Sequence, residues 1–325
     1  MPTDYRKQLD QVAWSLCILS ICTVSARCYC RAWVLRKFGW DDGFMVVTLA
    51  FGICMAVLVS FGVRHGYGLH LADIADPNER GLALKFTYIS PAPSILASTS
   101  GKIFMVLFLL RLLGHSAKRR HRWFLFGVAA VMVALNIFTI GIIVGQCTPV
   151  EKSWKPWIPV RCLGPSWLDI GGRLQAAWNA FMDLVTAMFP VYMIWRLQLK
   201  TSTKWGLTFL IGGSVFAAAA TFVKVYYMRD MTNLTDVTYA WGPLALWYMA
   251  EVFVLVIMGS LPTLKPIVSQ IQGRMPSMGS YVLSKRQRTG GSKTTTVGSK
   301  SSNGFRHRGQ GDITVALNEI DNMST

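Results

Sequence analysis

Seven long apolar stretches constrain this chain more than any other feature of its sequence. They lie at about residues 10–30, 43–63, 82–113, 123–146, 171–197, 205–228 and 240–264. A helix needs about 20 mostly apolar residues to cross a hydrocarbon core about 30 Å thick. Residues 43–63 and 123–145 show no polar face, whereas a helix of a soluble protein would have one. The sequence therefore predicts an all-α membrane protein, a seven-transmembrane helix bundle, with six or eight crossings as the alternatives.

The chain divides into three parts by composition. Residues 1–9 precede the first apolar stretch, residues 10–265 contain the seven stretches, and residues 266–325 are rich in Ser, Thr, Gly, Lys and Arg. A segment of that last composition buries too little apolar surface to fold. We expect it to be a disordered basic tail, either held against anionic lipid headgroups or serving only to keep the protein soluble. The first stretch is long enough to span, so we predict no cleavable signal peptide.

The distribution of positive charge predicts the orientation of the bundle. Lys and Arg concentrate in the tail and in the short loops after the first, third and fifth stretches, and such residues are held on the cytoplasmic side. The N-terminus is then outside and the C-terminus is cytoplasmic. This orientation places the sequon at Asn233 in an external loop, as a candidate for glycosylation. It also places Cys147 and Cys162 outside, where a disulfide is expected, with two free thiols as the alternative.

Polar and ionisable residues inside the apolar stretches are candidate site residues, because such groups are costly in lipid. Five of them fall near the middle of their stretches: Lys102, Asn136, Asn179, Asp183 and Glu251. Lys102 needs a carboxylate nearby, and Asp183 and Glu251 are its expected partners. The group is either a ligand or switch cluster, or a set of hydrogen bonds that only joins the helices.

Asp41 and Asp42 at the start of the second stretch form a second candidate group with Arg111 at the end of the third. An Asp in the first turn of a helix caps free amide groups, and that role alone explains both residues. A pair between Arg111 and either aspartate would also hold two helix ends together. The two interpretations are compatible.

The sequence lacks the common motifs of nucleotide-binding and hydrolytic sites. The sequence has no P-loop, no HExxH and no GxSxG motif. His65 and His70 lack a third ligand, so we predict no metal site. Residues 240–264 contain no lysine that would bind retinal, and we predict no cofactor. The net charge of +17 comes from helix ends and the tail, which disfavours nucleic-acid binding.

Several ordered motifs resemble those of the fungal rhodopsin-like integral membrane proteins. They are residues 36–42 (RKFGWDD), 66–68 (GYG), Lys102 with 109–111 (LLR), 146–149 (QCTP) with Trp154 and Cys162, Asn179 with Asp183 and Pro190, Lys204, Asp236, and Glu251 with Pro262. The resemblance covers about residues 14–266. That family includes pathogenicity-type proteins similar to G-protein-coupled receptors and membrane proteins of satratoxin-type gene clusters.

The resemblance implies a multi-pass plasma-membrane protein that senses external small molecules, with a cytoplasmic G protein or pathway enzymes as partners. Some receptor-type relatives carry an N-terminal cysteine-rich domain, whereas few residues precede the first stretch here, so we expect any ligand to bind in the bundle. The alternative is a membrane-embedded enzyme or accessory protein of a toxin or other secondary-metabolite pathway, with Asp183 and Glu251 as acid and base. A transporter is a third hypothesis, disfavoured because the sequence shows no internal repeat.

Overall fold

The apolar stretches form helices in the computed structural model, which describes residues 4–34, 36, 38–113, 119–154, 162, 164–196, 201–228 and 236–271. In these residues the α-helices are α1 (Arg6–Tyr29), α2 (Trp40–Arg64), α3 (Pro77–Ile89), α4 (Pro91–Leu113), α5 (Arg119–Gly145), α6 (Pro165–Arg196), α7 (Thr201–Tyr227) and α8 (Val237–Ile271). A π-helical turn, Cys30–Val34, follows α1. The predicted all-α class is confirmed for the described part of the chain.

Each predicted stretch coincides with a helix, and α3 and α4 together form the third. Within the described residues, five segments are long and apolar enough to cross a membrane: Arg6–Trp33, Trp40–Arg64, Pro77–Arg111, Arg119–Gly145 and Val237–Leu264. The apolar part of α7, Ile211–Tyr227, is shorter. These segments make the protein a multi-pass integral membrane protein, whereas the count of seven crossings stays a prediction.

Two helix ends differ from the predicted boundaries. The first helix begins at Arg6 rather than near residue 10, and the Asp4 carboxylate accepts a hydrogen bond of 2.8 Å from the Arg6 amide. The last helix continues to Ile271, so residues 266–271 are helical rather than part of the tail. Apolar composition marks where lipid ends, whereas backbone hydrogen bonding decides where a helix ends. The rest of the predicted tail, 272–325, lies outside the described residues.

The bundle carries apolar side chains outside and several charged ones inside. Ile137 and Phe222 are each 63% exposed on helix surfaces, whereas Lys102 and Glu251 are almost completely buried. This distribution fits a lipid bilayer environment, because lipid solvates the outer apolar face and excludes charge. Helix α8 contacts α1, α2, α3, α4 and α7, and therefore connects most of the bundle.

Candidate functional site

Four charged side chains form one buried network in the bundle, which we call the central network: Asp183, Lys102, Glu251 and Lys224. Lys102 of α4 places its Nζ 3.0 Å from Oδ2 of Asp183 on α6 and 3.6 Å from Oε1 of Glu251 on α8. Lys224 of α7 contacts the other oxygen, Oε2, of Glu251. The two positive and two negative charges balance, so the bundle holds them without a net buried charge.

Polar groups around this network satisfy the remaining hydrogen-bonding atoms. Lys102 Nζ also donates to the main-chain oxygen of Asn179 at 3.2 Å and to its Oδ1 at 3.4 Å. Asn179 Nδ2 in turn donates to Oδ1 of Asn136 on α5, at 3.2 Å. The Ser98 hydroxyl donates to Glu251 Oε1 at 3.1 Å. The structure thus brings together all five residues that the sequence selected near the middle of the stretches.

Lys224 is the member that the sequence analysis did not select. It lies near the end of the sixth apolar stretch, where a lysine normally extends its ammonium group to the membrane surface. Here the ammonium group turns inward to Glu251, and the side chain is only 17% exposed. The sequence does show an ionisable residue inside an apolar stretch, which could have selected Lys224 as a candidate. Its partner, Glu251, becomes evident only from the packing of α7 against α8.

The central network borders a cavity with a volume of about 110 Å³. Glu251, Lys224, Asn179 and Ser98 line it, whereas Lys102 and Asp183 do not. Much of the remaining wall is apolar: Ile95, Ile143, Leu168, Ala176, Met228 and Leu244. A small molecule in this cavity would therefore meet Lys224 and Glu251 directly, and would contact neither Lys102 nor Asp183.

A second ionic group, the α2 network, lies at the start of α2. Asp41 Oδ1 is 2.6 Å from Nη1 of Arg111 at the end of α4. Arg27 of α1 contacts both aspartates, at 3.2 Å to Asp41 Oδ2 and 2.8 Å to Asp42 Oδ1. Arg31 adds contacts of 3.3 Å to Asp41 and 3.6 Å to Asp42. Capping occurs together with pairing, because Asp42 Oδ2 also accepts from the amide of residue 39 at 3.1 Å.

Arg27 joins this network to α8, and sequence analysis missed it. Its side chain is completely buried although it lies in the first apolar stretch. The guanidinium Nη1 donates to the main-chain oxygen of Gly259 at 2.9 Å and to the Thr263 hydroxyl at 3.3 Å. It also lies 5.0 Å from the centre of the Phe104 ring, a cation–π distance. Arg27 therefore connects α1, α2, α4 and α8.

The predicted loop groups have separate outcomes. Cys147 and Cys162 form a disulfide, which confirms that prediction. Asn233 lies outside the described residues, so its glycosylation stays a prediction. His65 lies 2.6 Å from Glu79, and His70 lies 2.7 Å from Asp236. Among the described residues, the structure contains no group of three or more metal-ligating side chains.

Asp236 anchors the loop before α3 to the start of α8. Its Oδ1 accepts from the Leu71 amide at 2.8 Å, and its Oδ2 lies 2.7 Å from His70 Nδ1. Partial burial raises the pKa of Asp236, but the hydrogen bonds from His70 and the Leu71 amide outweigh it, and the net pKa is below its usual value. The carboxylate is thus ionised near neutral pH and holds the loop in place.

These features define an α-helical multi-pass membrane protein with two internal ionic networks. A sequence model of the fungal rhodopsin domain matches residues 26–270, and the chain belongs to that family. The match confirms the resemblance that the ordered motifs indicated. No solved structure matches the chain.

The chain is similar to several curated fungal proteins. It is 27% identical over 247 residues to wortmanamides biosynthesis cluster protein C of Talaromyces wortmannii, covering 74% of this chain and 66% of that protein. It is 25% identical over 269 residues to a SAT4 family membrane protein of Emericella nidulans, covering 80% and 61%. Satratoxin biosynthesis SC1 cluster protein 4 of Stachybotrys chartarum is 24% identical over 212 residues, covering 63% and 76%. The chain spans less than two thirds of the length of the first two.

Proposed function

We propose that this protein is a receptor-like sensor in which a small molecule enters the cavity and changes the contact between Lys224 and Glu251. The observation that carries the proposal is the position of Glu251. It borders the cavity, and it is the group through which Lys224 joins the rest of the central network. A ligand that displaces Lys224 would leave Glu251 to Lys102, and would disturb the charge balance between α4, α6, α7 and α8.

Helix α8 supplies a physical route from the cavity to the α2 network. Glu251 and Gly259 lie on the same helix, and at 1.5 Å per residue the two are about 12 Å apart along its axis. The main-chain oxygen of Gly259 accepts from Arg27, which pairs with Asp41 and Asp42. A shift or rotation of α8 would therefore alter both networks together. Because buried ion pairs have discrete arrangements, such a movement would behave as a switch.

The proposed topology has seven crossings, an external N-terminus and a cytoplasmic C-terminal tail, in the plasma membrane. The disulfide between Cys147 and Cys162 supports an external position for that loop, because disulfides persist in oxidising compartments. The α2 network then lies at the cytoplasmic face, where a G protein or a pathway enzyme would bind. If the topology is right, Asn233→Gln abolishes an N-linked glycan, and protease added to intact cells leaves the tail uncut. Digestion of the tail from outside would overturn it.

The second candidate function is an enzyme or accessory protein of a secondary-metabolite pathway. It is favoured by the names of similar proteins, which include biosynthesis cluster proteins for wortmanamides, fugralins and satratoxin. The positions of the two acidic residues limit which of them could act in catalysis inside the cavity. Glu251 lines the cavity, whereas Asp183 does not. A reaction in the cavity would therefore use Glu251 with Lys224, rather than Asp183 with Glu251, for proton transfer.

Complementation of a deletion strain separates the two functions. The strain receives the wild type, the charge-balanced variant Lys224→Met/Glu251→Gln, or the control Arg173→Gln, which alters only an exposed pair with Asp169 on α6. Second-messenger levels are measured after addition of spent culture medium, and secreted metabolites are profiled in the same cultures. If the protein is a sensor, the charge-balanced variant should lose the second-messenger response to the medium, and pathway intermediates should not accumulate. Accumulation of one intermediate with a normal response would favour the pathway protein instead.

A further inference from the structure

The α2 network holds more positive than negative charge among the described residues. Arg27, Arg31 and Arg111 carry three positive charges. Asp41 and Asp42 carry two negative charges. In the central network, by contrast, two lysines balance two carboxylates. An uncompensated charge among buried groups is costly, so the surplus positive charge of the α2 network favours the binding of an anion.

The distances within the network identify Arg31 as the group with the surplus charge. Arg27 lies 2.8 Å from Asp42. Arg111 lies 2.6 Å from Asp41, so each carboxylate already has a close partner. Arg31 has longer contacts, of 3.3 Å to Asp41 and 3.6 Å to Asp42, and its Nε makes no hydrogen bond in the described part of the chain. Because Nε is enclosed, an added anion would contact the terminal nitrogens of Arg31, which carry four of its five N–H donors.

The surplus charge lies on the outer side of the network. The Arg27 side chain is completely buried, that of Arg31 is 8% exposed, and that of Arg111 is 40% exposed. The two outer arginines are neighbours, because Nη2 of Arg31 contacts Oδ2 of Asp41 and Nη1 of Arg111 contacts Oδ1 of the same carboxylate. An anion at the surface of the bundle would therefore meet two adjacent guanidinium groups.

Exposed aromatic side chains indicate that this end of the bundle lies at the level of the lipid headgroups. Tyr29, Trp33, Phe38 and Trp40 are between 59% and 86% exposed. Tyr and Trp gather at the boundary between membrane and water. Arg31 lies between Tyr29 and Trp33 in the chain, and therefore at the same depth. The abundant anion at that depth is the phosphate of a lipid, and guanidinium groups match the geometry of phosphate.

We propose that the α2 network binds the headgroup of an anionic phospholipid, whose phosphate oxygens accept hydrogen bonds from Arg31 and Arg111. A zwitterionic headgroup brings a positive charge together with its phosphate, and so leaves the surplus charge uncompensated. The bound headgroup connects the π-helical turn after α1 to the end of α4. The proposal goes beyond the proposed function and does not depend on the cavity, so either one can fail without the other.

The test titrates three probes against the full chain in micelles of a neutral detergent. They are dioleoylphosphatidylglycerol, which is anionic; dioleoylphosphatidylcholine, which has the same acyl chains and a phosphate but no net charge; and soluble glycerol 3-phosphate. Native mass spectrometry measures the apparent Kd of the first bound molecule. We expect the wild type to bind phosphatidylglycerol about tenfold or more tightly than phosphatidylcholine, because only the anionic lipid compensates the surplus charge. Glycerol 3-phosphate should bind more weakly than phosphatidylglycerol, because it has no acyl chains to bury.

Two variants that each remove one positive charge separate a specific site from general attraction to a basic surface. Arg31→Gln should reduce the preference for phosphatidylglycerol over phosphatidylcholine to about twofold or less, because it removes the surplus charge. The variant should stay folded, since Arg27 and Arg111 then balance the two aspartates. The matched control Arg120→Gln removes an exposed charge at the start of α5, outside the network, and should leave the preference unchanged.

Several results would overturn the proposal. Equal affinity of the wild type for the two lipids would show that the network does not select an anionic headgroup. An equal loss of preference in Arg31→Gln and Arg120→Gln would show general electrostatic attraction instead of a site. Tighter binding of glycerol 3-phosphate than of phosphatidylglycerol would show a site for a free phosphate. If Arg31→Gln does not fold, Arg111→Gln takes its place, and an unchanged preference in that variant would equally overturn the proposal.

Discussion

Removing the charge of Lys102 tests whether the central network acts as one unit. Lys102→Met leaves Asp183 without its 3.0 Å partner, and Glu251 then depends on Lys224 alone. Breaking a buried ion pair by removing one partner costs about 3–5 kcal/mol. We therefore expect Lys102→Met to lower the free energy of unfolding by about 3 kcal/mol or more. Asp183→Asn should cost less, because Lys102 keeps Glu251 at 3.6 Å.

The double variant gives the sharper result. Lys102→Met/Asp183→Asn removes one positive and one negative charge, and leaves Lys224 paired with Glu251. Its cost should not exceed that of Lys102→Met alone, which corresponds to a coupling free energy of about 2 kcal/mol between the two sites. Reversible unfolding of each variant in bicelles measures the four free energies of this cycle.

A matched control pair lies on the exposed side of α6. Arg173 and Asp169 are 2.7 Å apart at i,i+4, and the Arg173 side chain is 50% exposed. Such exposed pairs are worth about 0.3–0.5 kcal/mol, so Arg173→Gln should change stability little. The sum of the costs of Lys102→Met and Asp183→Asn is compared with the cost of the double variant. Agreement to within about 0.5 kcal/mol would refute the network, because independent sites are additive.

Three further predictions concern the other groups. Arg27→Met should destabilise the protein by about 3 kcal/mol, because it removes a buried partner of two carboxylates, and denaturant melts of the variant check this. Cys147→Ser and Cys162→Ser should each cost about 3 kcal/mol with the double variant no worse, and non-reducing peptide mass spectrometry should recover the linked peptides. Asp236 has a pKa lowered from 3.8, so its stabilising contribution is present above pH 3.8 and is lost as the pH falls through the lower folded value. The stability difference between wild type and Asp236→Asn should therefore be below about 1 kcal/mol at pH 6 and shrink on acidification to pH 3; a difference that grows instead would contradict the anchor.

The helices and the core of the site followed from one physical constraint. Lipid requires long apolar helices and makes charge inside them costly, so composition alone located the helices and selected Lys102, Asp183 and Glu251. The particular ion pairs of the central network could not be predicted from composition, because each pair depends on how its helices are rotated about their axes. The sequence offered both Asp183 and Glu251 as partners for Lys102, and the structure places both near it.

Residues near the ends of the apolar stretches were harder to interpret. Arg27 and Lys224 lie where long basic side chains usually reach the membrane surface, so their sequence positions gave no reason to place them inside. Packing of α1 against α2 and α8, and of α7 against α8, turns both inward. The cavity was also not predictable, because it depends on side chains from five helices that are distant in sequence.

Native mass spectrometry of the protein purified in nanodiscs from its own fungal cells tests the central claim most directly. The wild type is compared with Ala176→Phe, in which a phenyl ring occupies space in the cavity that Ala176 and Glu251 both line. Both proteins are first shown to melt at similar temperatures. A sensor with its site in the cavity should release a small molecule from the wild type, and Ala176→Phe should release none. Release of the same molecule in the same amount from both proteins would contradict a binding site in the cavity.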